Sequence, residues 1–261
     1  MTPNWPPLDL HAHVDTGIDP ASLLDLRAVI FAASRSLEES ERALARQPSD
    51  LLTIWGVGVH PGLKSALESY TSTEFRTLLD RSGYVGEIGL DGKVPSRLPR
   101  QREVFASILG ELQAYPRLTS IHSYAATAEV VEELTRTPIV GAILHWWLGD
   151  AETTQQAVDL GAFFSINAAS VRRSDLLDVI PMDRLLLETD HPDGNRYGSR
   201  PRQPGGITDV EVALARHHGI KPADVRLKVW ENLARLVTMT NVGALLPPRV
   251  AAILTAARQA Q

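Results

Sequence analysis

The chain has 261 residues, a net charge of −5 and no cysteine. That length admits one large α/β domain, and the missing thiols exclude disulfides, thiolate metal sites and cysteine nucleophiles, so imidazole and carboxylate must hold any metal. The mild negative charge excludes a global basic field that recruits nucleic acid, leaving local patches, and no apolar stretch approaches a membrane span. Met1 to Leu8 lack the basic flank and apolar run of a secretory signal, so a cytoplasmic protein is expected. Short β-like runs then alternate with helical segments, the pattern of a parallel sheet. Leu8–His13 and Ala28–Ala33 read as strands, and Ser36–Arg46 as a helix opened by a serine cap and glutamates. Strand Thr53–Val59, helix Glu74–Asp80, strand Tyr84–Leu90 and helix Gln101–Tyr115 follow. Strand Thr119–His122, helix Ala125–Thr135, strand Val140–His145 and helix Glu152–Asp159 continue the alternation. Strand Ala162–Ile166, helix Ser174–Val179 and strand Leu185–Glu188 complete it. Helices over Thr208–His217, Pro222–Arg226 and Lys228–Thr238 come after the last strand. These elements predict a single α/β domain, a closed (β/α)8 barrel over 1–239, with a short helical tail over 240–261 in which Pro247-Pro248 lead into helix Arg249–Ala260.

Chemistry enters with Asp9-Leu10-His11-Ala12-His13. Residues two apart on a strand face one side, so His11 and His13 can hold one divalent ion. His60, Glu87, His122, His145 and Asp190 follow, each late in an apolar run or just beyond it. In such a barrel, chemistry gathers at the C-terminal strand ends, so these residues should converge on one mouth. Glu87 lies between Gly86 and Gly89 in an apolar run, where an unpaired charge is costly. Asp9 shares the side of His11 and supports the site or joins it. His191 reads as a loop or rim residue, and His217 and His218 as cations near a helix C-terminus. The Gly83, Gly86, Gly89, Gly92 spacing lacks the lysine and helix of a phosphate loop. There is no Gly-x-Ser-x-Gly elbow and no His-Glu-x-x-His helix.

Several blocks resemble the TatD family of metal-dependent hydrolases. They are Asp9 to Asp15, Gly58-Val59-His60-Pro61, Gly86-Glu87-Ile88-Gly89-Leu90-Asp91, Ile121-His122-Ser123, Leu144-His145 and Leu187-Glu188-Thr189-Asp190. Gln101 to Phe105, Gly161 to Ser165 and Asn232 to Leu236 stand in family order, so the resemblance spans Leu8 to Val237. It implies a TIM barrel, two divalent metals (Mg, Mn or Zn) and deoxyribonuclease activity. His11, His13 and Asp190 are then ligands of one metal, His122 and His145 of the other, with Glu87 bridging. Asp190 and Glu87 become catalytic; Asp190 orients or deprotonates the attacking water. His60 is not a ligand in the family and contacts the scissile phosphate or assists the leaving oxygen. Where the family pattern has His-Ser-Arg, this chain has Tyr124 in place of the arginine. Where it has His-Cys-Phe-Thr-Gly, this chain reads His145-Trp146-Trp147-Leu148-Gly149, and the Asn-Glu/Gln-Pro stretch reads Arg202-Gln203-Pro204. The Leu90-Asp91-Gly92 stretch leading to Gln101 is also similar to TatD-like members of Qat-type phage-defence cassettes, which implies a role in antiviral defence.

The substrate that the resemblance implies is DNA, expected here as single strands or ends. Arg196, Arg200 and Arg202 follow the last strand, Lys93, Arg97, Arg100 and Arg102 the fourth, and Arg172 and Arg173 the seventh. Guanidinium groups bind phosphate bidentately, so Arg200 and Arg202, with His60, are substrate-binding candidates. Trp146 is a candidate for stacking on a base. Two other readings stand beside the nuclease: ester or carbon–nitrogen hydrolysis by a related metal barrel, and an inactive barrel serving a larger assembly. Leu245, Leu246, Val250, Ile253 and Leu254 of the tail pack on the barrel or on a protein partner.

Overall fold

In the computed structural model, which describes residues 5–46 and 50–259, parallel strands alternate with helices around a closed barrel. The order begins β1 (Leu8–Ala12), α1 (Pro20–Asp25), β2 (Val29–Ala32), α2 (Leu37–Arg46) and β3 (Thr53–Trp55). Next come α3 (Lys64–Ser69), α4 (Ser72–Leu79), β4 (Tyr84–Gly89), α5 (Leu98–Ala114) and β5 (Leu118–His122). They are followed by α6 (Thr127–Arg136), β6 (Ala142–His145), α7 (Ala151–Asp159), β7 (Phe163–Ile166), α8 (Ser174–Leu177) and β8 (Leu185–Leu187). The chain finishes with α9 (Thr208–His218), α10 (Pro222–Thr240) and α11 (Pro248–Gln259). The strands are almost wholly buried apolar runs, as a parallel sheet covered by helices requires. Helix starts follow their caps: Ser36 Oγ accepts from Glu39 N at 3.1 Å, and Asp150 Oδ1 from Thr153 N at 2.8 Å.

Strands β1 to β3 form one ladder and β4 to β8 another. Two seams close them into a ring. Val57 pairs with Val85 between β3 and β4. At the other seam Asp190 N donates to His11 O and His13 N to His191 O, both at 2.8 Å. The first seam departs from the expected strand Thr53–Val59, since regular pairing stops at Trp55. Gly58 explains this: a Cβ there would lie 1.7 Å from Ser34 O and 2.6 Å from Glu87 N. Glycine lets three chain segments crowd together at this point, and single bonds replace the ladder, including Val59 N to Glu87 O at 2.8 Å and Glu87 N to Ser34 O at 2.9 Å. The crowding fixes the backbone that carries Glu87.

Other departures are local. The helices expected over Pro222–Arg226 and Lys228–Thr238 are one, α10, because no glycine or proline interrupts Leu227. Helices α1 and α3 add to the expected elements; α1 starts with Pro20 behind Asp19, whose side chain accepts from Ala21 N at 3.3 Å. Helix α11 begins at Pro248 and lies against α10, burying Val250, Leu254 and Ala257; the Ala260 end of the expected helix lies outside the described residues. No helix among the described residues is long and apolar enough to cross a membrane.

Candidate metal centre and its rim

Residues at the ends of β1, β5 and β6, with His60 beyond β3, converge on Glu87, which is 1% exposed. Its Oε2 lies 3.3 Å from His13 Nε2, 3.4 Å from His60 Nε2 and 3.9 Å from His11 Nε2. Its Oε1 lies 2.5 Å from His122 Nδ1 and 2.7 Å from His145 Nε2. Asp190 Oδ1 approaches His11 Nε2 at 3.7 Å and His13 Nε2 at 3.9 Å. The rings of His11 and His145 stack at 4.0 Å. One carboxylate therefore faces two groups of imidazoles, one on each oxygen.

A further set of groups orients these side chains. His13 Nδ1 must donate to the Ala33 carbonyl at 3.2 Å, because a carbonyl only accepts; Nε2 is therefore the nitrogen that faces Glu87 and that a metal would take once it is deprotonated. His11 Nδ1 meets Ser120 Oγ at 2.7 Å. His122 Nε2 lies 3.5 Å from Asp91 Oδ2, and Gln101 clamps both the Asp91 N–H, at 2.7 Å, and its carbonyl, at 3.0 Å. His145 Nδ1 lies 3.9 Å from Glu188 Oε1. Glu188 is itself held by Trp146 N at 2.8 Å, Asn167 Nδ2 at 3.1 Å and Ser165 Oγ. Asp9 accepts from Thr189 N at 2.8 Å, Thr189 Oγ1 at 2.7 Å, Gly205 N at 2.8 Å and His11 N at 3.3 Å. Asp9 thus braces the chain on either side of the site. His60 differs from the rest: Gly62 N donates to its Nδ1 at 2.9 Å.

Burial and mutual charge set the protonation of the cluster. Burial alone would raise Glu87, yet the imidazoles of His60, His145 and His122 hold it well below the usual carboxylate range. Burial pulls on His145 and His122, but Glu87, helped by Glu188 and Asp91 respectively, holds both above the ordinary histidine value. His13 is raised in the same way by Glu87 and Asp190. Burial, followed by the charge of His145, lowers His11 far; burial also lowers His60. Burial pushes Asp190 up to about 7 and Asp9 up to about 6.

The donor set fits a metal. Among the described residues His11 Nε2 and Glu87 Oε2 are buried with no hydrogen-bond partner, a cost that persists only where something else satisfies them. Three overlapping triads have their ligand atoms within 4.8 Å of one another: His11, His145 and Asp190; His11, His13 and Glu87; His60, Glu87 and His122. Imidazole and carboxylate together suit Zn²⁺, Mn²⁺ and related divalent ions.

Residues 8–238 match the family model for TatD-related DNases. The chain belongs to the TatD family. It is 28% identical to the "Uncharacterized metal-dependent hydrolase YcfH" of Escherichia coli K12, over 88% of this chain and 94% of that protein. It is 30% identical to the "3'-5' ssDNA/RNA exonuclease TatD" of Cronobacter sakazakii, over 77% of this chain and 83% of that protein. The crystal structure of the E. coli TatD homologue YJJV shares the fold with a TM-score of 0.76 and 23% identity, covering 88% of this chain and 96% of that one. Membership makes the protein a metal-dependent hydrolase with a TIM-barrel fold.

The TatD-type centre opens into a cavity of about 370 Å³. His13, His60, Glu87, His122, His145 and Asp190 reach its wall, while His11 is fully buried behind it. Trp146 also lines the cavity, but Arg200 and Arg202 do not; they flank Pro201 in a separate surface depression. Arg196, on the turn Gly194–Tyr197, reaches the cavity in their place, and Lys93 joins it from the β4 side. Four of the other arginines are engaged elsewhere: Arg100 by Glu103, Arg102 by Glu132 and Glu133, Arg173 by Asp175, and Arg172 by the Tyr197 carbonyl; Arg97 does not line the cavity. His191 meets Asn195 at 3.0 Å, and His217 pairs with Asp178 at 3.2 Å. Glu188, behind His145, is a site residue that sequence reasoning misses; the signal for it is a carboxylate at the end of an apolar run, as for Glu87 within one. Asp91, Tyr124 and Leu148, which nothing in the sequence marks as site residues, also reach the cavity. Trp146 and Asp190 both take left-handed backbone, φ 38° and 43°, a strain tolerated mainly where function requires it.

Proposed function

We propose that this protein is a two-metal phosphodiesterase that cuts DNA, acting on single strands or ends. The observation that carries the reading is Glu87, whose two oxygens face separate imidazole groups. His11, His13 and Asp190 would hold one divalent ion, His122 and His145 the other, and Glu87 would bridge them. Such ions supply an acidified water and neutralise charge on the phosphoryl oxygens. Asp190 would orient the attacking water and take its proton. His60 has its Nδ1 occupied as an acceptor and is kept neutral by burial. Its one proton is on Nε2, so it donates a hydrogen bond to the scissile phosphate or leaving oxygen. The names of the relatives, an ssDNA/RNA exonuclease and the "Putative deoxyribonuclease tatdn3" of Danio rerio, support a nucleic-acid substrate. We assign the activity to the barrel, 1–239, and a packing role to the tail, 240–261.

The test is to strip the protein of metal, reload it with Mg²⁺, Mn²⁺ or Zn²⁺, and assay labelled single- and double-stranded DNA beside Asp190→Asn. Metal-dependent cutting that the variant loses supports the reading. Metal uptake with turnover of small esters or amides, but none of DNA, moves the assignment to the related ester and carbon–nitrogen hydrolases.

A further inference from the structure

Above the imidazoles the cavity wall turns apolar. Tyr124 follows β5 and is 51% exposed; Leu148 follows β6 and is 40% exposed. Trp146 lies with them, half-buried, whereas its neighbour Trp147 is fully buried with Nε1 on Thr154 Oγ1 at 2.8 Å. The backbone is bent out of its comfortable range to make this wall: Trp146 has φ 38°, and Ala125, next to Tyr124, has φ 49°. Cations bracket the arc in strand order, Lys93 after β4 and Arg196 after β8. Arg196 is half exposed; its guanidinium lies 5.1 Å from the Tyr197 ring centroid and 3.9 Å from the exposed Asp193, a ring contact and a screened pair that leave N–H edges open to solvent. Packing does not explain an exposed tyrosine, a half-buried tryptophan and an exposed leucine facing one cavity.

We propose that Tyr124, Trp146 and Leu148 form a stacking subsite for the terminal base of a single strand, with Lys93 and Arg196 binding the phosphates beside it. The inference rests on the phosphodiesterase reading and narrows its substrate to an unpaired end. Every base offers a π-face to such a wall, so the subsite accepts all four but requires that the base be free of its complement. Tyr124 stands where the family pattern has an arginine, so this chain places an aromatic ring where a cation is usual and carries its cations to either side.

The experiment compares oligonucleotides that differ only in the terminal residue, adenine or an abasic sugar, on metal-loaded wild-type protein, Tyr124→Ala and Tyr124→Phe. The subsite predicts that wild type prefers the adenine end roughly tenfold in kcat/KM, chiefly through KM. It predicts that Tyr124→Ala brings the ratio near one and Tyr124→Phe retains it. Equal cleavage of both ends by wild type, or equal loss on both ends in Tyr124→Ala, overturns the subsite. A second arm does not depend on turnover: an oligonucleotide ending in 2-aminopurine is titrated into Asp190→Asn and into Asp190→Asn combined with Tyr124→Ala. Fluorescence quenching lost in the double variant supports the subsite; the absence of quenching in Asp190→Asn overturns it. Failure of wild type to cut any DNA sinks the phosphodiesterase reading and leaves this binding arm to decide the subsite.

Discussion

The main-chain N–H of Gly62 donates to Nδ1 of His60 at 2.9 Å, which leaves the Nε2 proton as the one His60 can offer. A neutral imidazole has a single lone pair, and here the loop uses it. His60 therefore sits among imidazoles within ligand distance, 3.4 Å from Glu87 Oε2, yet presents a donor to the cavity. The prediction is that His60→Gln lowers kcat about a hundredfold, the usual loss of one well-placed donor, while Mn²⁺ affinity by calorimetry stays within about twofold. A large fall in affinity would make His60 a ligand.

Glu188 acts behind His145. It takes hydrogen bonds from Trp146 N, Asn167 and Ser165, and its Oε1 lies 3.9 Å from His145 Nδ1. Glu188→Gln keeps the shape and removes the charge. Metal affinity should fall by about 10–100-fold, the range for carboxylates behind ligating histidines. An unchanged titration would show that His145 is oriented without it.

Metal uptake should tighten as pH rises. Glu87 holds His122 and His145 above the ordinary histidine value despite burial, and burial puts Asp190 at about 7. In the metal-free protein these groups carry protons near neutrality, and ligation must expel them. Affinity therefore increases from about pH 6 to about pH 8, with proton release seen by calorimetry in buffers of different ionisation enthalpy. A flat pH profile contradicts the assignment of these residues as ligands.

Asp9 is fully buried and accepts four hydrogen bonds from Thr189, Gly205 and His11. Asp9→Ala leaves those donors unpaired and should cost about 2–4 kcal/mol of stability, read as a lower Tm. A Tm within a degree or two of wild type would show that water replaces the carboxylate.

The barrel was legible because each strand is a short apolar run between helical segments, and parallel packing needs little else. The histidines, Glu87 and Asp190 were legible as positions because strand-end placement brings them to one mouth whatever the loops do. Loop side chains were not legible. Arg196 reaches the cavity and Arg200 does not because of a single turn over Gly194–Tyr197, and Arg102 is consumed by Glu132 and Glu133 on a helix distant in sequence. The early end of β3 was hidden for a similar reason: Gly58 matters only through Ser34 and Glu87, which the fold brings against it.

The measurement that bears most directly on the two-metal assignment is anomalous diffraction from crystals soaked in Mn²⁺. Two peaks about 3.5–4 Å apart, one on each side of the Glu87 carboxylate, are predicted. One peak alone, or none within reach of Glu87, contradicts it.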